Sequence, residues 1–159
     1  MSRWFLWFLL APQVWLLAGL WRDAGLPPFD MGALACLFLA FFAERHAVPW
    51  LLLGLAIGRA MVDEAMLPVQ ILVLGVPVGF LLPLRTLFFS QRWLWQAFAA
   101  ALCAVAIPHL AGVCGRLFEQ PSATAQMDGI TVVWSAVLLP PLLLLLRALP
   151  PFRAFVEPA

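Results

Sequence analysis

Apolar residues run along the chain in six blocks, at 4–21, 29–43, 48–61, 66–84, 93–114 and 130–149, each closed off by charge, proline or a polar break. A helix needs about 20 mainly apolar residues to cross a hydrocarbon core about 30 Å thick. The blocks therefore predict an all-α integral membrane protein, a six-helix transmembrane bundle in which residues 1–159 form one polytopic domain. The second and third blocks are short. A competing reading is one tilted helix that carries Glu44, Arg45 and His46 through the bilayer centre. Each central charge costs about 2.5 to 3.5 kcal/mol on insertion scales, more than a tight turn does. A hairpin is predicted instead, and Pro49 supports it, because a proline in the first turn of a helix gives up a donor that has no partner there. The longest connection, 115–129, is too short to fold alone.

Composition agrees with this pattern. Of the 159 residues, 65% are apolar and 11% charged, and the mean hydropathy is +1.01. Soluble domains run at about 45 to 50% apolar and about 25% charged, so this chain cannot coat a water-facing surface. Disorder is excluded, since it needs low hydrophobicity and high charge. Nucleic-acid binding is excluded as well: nine arginines offset by eight acids, with no lysine, leave a net charge of +1 and no basic stripe. Cys36, Cys103 and Cys114 lack paired spacing and read as small packing residues. The first block reads as a retained span. It is longer than a signal core of about 7 to 15 residues, Pro12 and Gln13 interrupt it, and no small-x-small cleavage site follows.

Arginine placement sets the expected orientation, because short cytoplasmic loops keep positive charge. With the N-terminus inside, Arg3, Arg45, Arg85, Arg92, Arg147 and Arg153 are cytoplasmic, and Arg22, Arg59 and Arg116 lie opposite. Six spans with both termini in the cytoplasm satisfy this distribution.

Helices in lipid gain nothing hydrophobic from one another, so small-residue contacts and interhelical hydrogen bonds must hold them. Gly54-x-x-x-Gly58 in the third span is one such seam; Gly75 and Gly79, a second candidate helix-packing seam, flank Pro77 in the fourth, where a loosened or kinked helix is predicted. Pro140 and Pro141 do the same in the sixth. Arg59 precedes Asp63 by four residues, a spacing that permits an ion pair, and Glu64 follows. This group reads as a paired helix end at the outer interface or as a docking point for a partner. His109, after Pro108 near the outer part of the fifth span, reads as an interfacial histidine whose polar groups are satisfied there or, alternatively, as an intramembrane ionisable relay. Gln13 and Gln70 read as polar groups that hydrogen-bond a neighbouring helix. The sequence holds no H-E-x-x-H, G-x-S-x-G or phosphate-binding glycine loop, and its two histidines fall on opposite sides of the predicted membrane. A noncatalytic protein without metal or cofactor is expected.

Several local features together resemble the bacterial rod shape-determining protein MreD family of small, nearly loop-free inner-membrane proteins. The stretch Phe41-Phe42-Ala43-Glu44-Arg45-His46-Ala47-Val48-Pro49 resembles that family's short basic turn with a proline between its second and third helices. Residues 54–68, with Gly58 and Asp63, resemble its glycine-rich third helix ending in an aspartate followed by a proline, although Glu64-Ala65-Met66-Leu67 stands where the family usually has a Ser-Gly stretch. Leu87-Phe88-Phe89 with Leu94-Trp95-Gln96 resembles the aromatic loop and the opening of helix five. Leu138-Leu139-Pro140 and Leu146-Arg147 resemble the last helix. The resemblance implies a scaffold subunit of the peptidoglycan-synthesising cell-elongation complex, working beside a single-span MreC partner, the RodA glycosyltransferase with its transpeptidase and, indirectly, the MreB filament. It also implies a fold like the six-helix substrate-binding subunits of energy-coupling-factor transporters. The alternative expectation is therefore a membrane subunit that binds a vitamin or another small molecule.

Overall fold

The computed structural model describes residues 3–63, 65–85, 93–120, 128–149 and 152–156. They form six α-helices: α1 (Arg3–Asp23), α2 (Met31–Phe41), α3 (Val48–Val62), α4 (Leu67–Leu84), α5 (Trp93–Leu117) and α6 (Gly129–Ala148), followed by a 3-10 turn, Phe152–Phe155. Four of them, α1, α4, α5 and α6, are long and apolar enough to cross a membrane. α2 has 11 residues and α3 has 15. At 1.5 Å per residue these measure about 16 Å and about 22 Å.

α2 is the axis of the bundle. Its sequence MGALACLFLAF is apolar all round, the pattern of a helix enclosed on every side. Every residue from Gly32 to Phe41 is buried, against α3, α4, α5 and α6. Cys36 donates its thiol hydrogen to the Leu74 carbonyl at 3.5 Å, so it fills the α2–α4 contact. Cys103 and Cys114 are likewise buried and free.

The second helix starts two residues later than predicted, and deep inside the bundle. Pro27 and Pro28 supply no backbone donors and hold the approach non-helical. Asp30 then caps α2: its Oδ1 accepts from the amides of Gly32 at 2.7 Å and Ala33 at 3.2 Å. The amide of Asp30 donates to Ser135 Oγ at 3.0 Å. Ser135 lies six residues past the first residue of α6, so this cap sits about 9 Å below that end of the bundle. The chain reaches it by turning at Gly25, whose φ of +66° glycine adopts without strain, and descending as 26–30. Trp21 steadies the descent, donating to the Pro27 carbonyl at 3.0 Å and meeting Phe29 edge to face.

One end of the bundle gathers the first turn of α1, the α2–α3 turn, the end of α4 and the 3-10 turn. Arg85 donates to the Ala43 carbonyl at 3.0 Å, Arg147 lies over the Phe42 ring, and Trp4 meets Phe155. The opposite end joins α3, α4 and α5, where the Met66 amide donates to Gln120 Oε1 at 3.0 Å. The predicted hairpin between the second and third blocks is present, with its turn confined to 42–47.

Candidate functional site

α1 and α3 approach each other closely at two glycines. A Cβ on Gly54 would stand 2.7 Å from Trp7 Nε1, and one on Gly58 would stand 2.7 Å from the Cα of Pro12. The two glycines leave a channel on α3 into which α1 sinks. That approach lets Trp7 donate its indole hydrogen to the Leu51 carbonyl at 3.2 Å, and Trp15 to the Leu55 carbonyl at 3.0 Å. Trp7 and Ala11 are buried as a result. The α4 glycines differ. Gly75 has only Leu52 Cδ2 at 3.4 Å, an ordinary contact, and Gly79 has nothing within 4 Å. The seam expected at Gly79 is absent because that side of α4 faces outward.

Arg59, Asp63 and Gln70 meet at the α3–α4 end. Arg59 Nε is 3.8 Å from Asp63 Oδ2, and the same oxygen accepts from Gln70 Nε2 at 3.0 Å. Gln70 is buried, and the Arg59 and Asp63 side chains are 17% and 22% exposed. The guanidinium lies over the Trp15 ring, 5.4 Å from its centroid. Its NH1 atom is buried with no hydrogen-bond partner among the described residues. The arrangement turns the charges toward α1 and α4. Glu64, the third charge of this group, lies outside the described residues, as does the Leu87-Phe88-Phe89 stretch.

The other end is closed by aromatic rings. Phe155 is fully buried against Trp4 and Trp7, and Phe152 meets Trp7 and Phe38 edge to face. The Glu44 amide donates to the Phe155 carbonyl at 2.9 Å, part of a single antiparallel bridge between Ala43 and Val156. Glu44 Oε2 has Arg3 at 3.6 Å and His46 at 3.1 Å, contacts that fall short of hydrogen-bond geometry. Arg3 also lies over the Trp4 and Phe155 rings.

Two polar side chains take the opposite course. Gln13, midway along α1, and His109, eight residues before the end of α5, are both exposed on the outside of the bundle. Gln13 therefore bonds no described residue of a neighbouring helix, because Trp7, Ala11 and Trp15 already turn the opposite face of α1 to α3. A shallow groove of about 250 Å³ lies between α4 and α5, bounded by Val76, Pro77, Phe80, Leu102, Ala106 and Leu110 among others. Its lining is apolar and offers a vitamin no hydrogen bond.

Ser135 belongs to the thin stock of polar residues inside the predicted spans and Asp30 to the predicted outer acids, but the sequence assigns neither of them this capping contact and does not mark Phe155. Asp30 standing directly before the apolar helix that opens at Met31 is an N-cap signal that the apolar run from Phe29 concealed, whereas nothing local distinguishes Phe155. Comparison with known proteins adds no relative: no protein-family profile, no curated protein and no solved structure matches this chain.

Proposed function

We propose that the protein is a noncatalytic scaffold of a bacterial inner membrane, a subunit of the MreD kind in the cell-elongation complex, that acts by holding partner membrane helices against its outer faces. The observation that carries this reading is the outward exposure of His109 from an otherwise apolar stretch of α5. In a bilayer a polar group facing hydrocarbon is costly, and intramembrane polar residues almost always face a bundle interior or a cavity. One that faces out is satisfied by a helix from another chain. Arg59, Asp63 and Gln70 are engaged with one another and hold the scaffold together. The MreD assignment rests on the sequence resemblance; of the stretches that carry it, only Glu64 and residues 87–89 lie outside the described residues.

The partners are an MreC-like single-span protein and RodA with its transpeptidase. Photo-crosslinking from position 109, with co-purification from cells that make both partners, tests this. Capture of the MreC-like or RodA chain is expected, and recovery of the protein free of both overturns the reading.

A further inference from the structure

On α1, Leu6, Leu9, Gln13, Leu16 and Leu20 follow one another in alternating steps of three and four residues. This is the heptad spacing of a two-helix seam, in which each side chain inserts between four on the facing helix. Leu9, Leu16 and Leu20 are 54%, 50% and 65% exposed, and Gln13 is exposed between them. No described residue hydrogen-bonds its amide. The opposite face of α1, with Trp7, Ala11 and Trp15, is committed to α3. α1 thus carries two seams, one filled by its own chain and one open.

We infer that the open seam is a dimer contact in which α1 of a second copy of this chain packs in parallel, with Gln13 bonded to Gln13. The occupant follows from symmetry and chemistry. Two copies inserted in the same direction are related by an axis along the membrane normal, so each residue on the seam meets its own counterpart at the same depth. A leucine meets a leucine. Gln13 meets the one side chain sure to satisfy it, since an amide carries both an acceptor oxygen and donor hydrogens and two amides pair reciprocally. Gln13 is residue 11 of 21 in α1, at the centre of the helix, where an unpaired amide is most costly. A single polar residue in such a seam also fixes register and partner number. The inference needs only this chain and does not rest on the cell-elongation reading.

The full chain, reconstituted in phosphatidylcholine vesicles, tests it by oxidative crosslinking. The native cysteines are buried, so the unsubstituted chain is the blank. Leu9→Cys and Leu16→Cys are expected to give disulfide-linked dimers, and Val137→Cys, exposed on α6, is not. Adding Gln13→Leu to Leu9→Cys is expected to weaken association about 3- to 30-fold, the span of interhelical side-chain hydrogen bonds in bilayers. Gln13 is exposed, so its replacement leaves the fold of each copy intact. No dimer from positions 9 and 16, equal dimer from position 137, or indifference to Gln13→Leu would each overturn the inference. So would Leu9→Cys in native membranes that crosslinks to a different protein in place of a second copy.

Discussion

Gly58 and Gly79 both interrupt apolar helices, yet a Cβ at the first would lie 2.7 Å from backbone of Pro12 and at the second would meet nothing within 4 Å. Gly58→Ala therefore has to push α1 away from α3, and overpacking of this kind costs about 1 to 3 kcal/mol. Gly79→Ala meets no obstacle and removes a flexible residue from a helix, a gain of up to about 1 kcal/mol. Thermal unfolding in detergent should move in opposite directions for the two, and a loss of stability at Gly79 would contradict the open space on that side of α4. Asp63 is the joint of its cluster, because one oxygen serves both Arg59 and Gln70. Asp63→Ala strands both groups, and a buried polar group left without its partner costs about 1 to 3 kcal/mol. Gln70→Leu should cost less, since the Arg59–Asp63 pair survives it. Equal losses from the two variants would show that the hydrogen bond, not the charge pair, supports this end.

Helix boundaries were legible along most of the chain because charge and proline punctuate it. α3, predicted from 48 to 61, runs to Val62, and α4, predicted from 66, starts at Leu67. α2 was less legible for a physical reason: Phe29 is as apolar as the helix it precedes, and apolarity reports burial without reporting hydrogen bonding. The cap at Asp30 decides the matter through two amides. The direction in which α1 points Gln13 was illegible too, since leucines surround that helix and only the Gly54–Gly58 channel selects which face turns inward. Nor did the sequence show that the 3-10 turn folds back on the first helix, a contact made by aromatic rings about 150 residues apart. Phe155 is fully buried there against Trp4 and Trp7. Phe155→Ala should cost about 3 kcal/mol, the lower range for removing a buried phenylalanine. Tryptophan emission should shift to the red as Trp4 and Trp7 gain water. Unchanged emission would mean that the rings stay sealed without Phe155.

At the scale of the molecule, the contact between Trp4 and Phe155 puts the start of α1 and the 3-10 turn at one end of the bundle, so the number of crossings between them is even. The four long helices are each apolar and long enough for one crossing, and with those four, α2 and α3 decide between four and six. α2 alone, at about 16 Å, reaches only halfway across hydrocarbon about 30 Å thick. Residues 26–30 precede it as non-helical chain and carry it to a cap about 9 Å below the start of α6. Descent and helix together cover about 25 Å, most of the hydrocarbon thickness. Two prolines without donors, the Trp21 bond to Pro27 and the Ser135 bond to the Asp30 amide lower the cost of non-helical backbone at that depth. The α2–α3 turn then emerges beside Arg3 and Arg85, on the side where arginines collect. Arg45 is exposed on that turn, and its position separates the two counts. With six crossings, Arg45→Cys reacts with a membrane-impermeant maleimide only when the cytoplasmic face is opened, whereas Leu117→Cys, exposed at the end of α5, reacts in intact cells. With four, the α2–α3 hairpin dips into the membrane and withdraws, and Arg45→Cys stays unlabelled from either side until detergent is added. Labelling of Arg45→Cys in intact cells would reverse the orientation altogether and place the arginine-rich end outside.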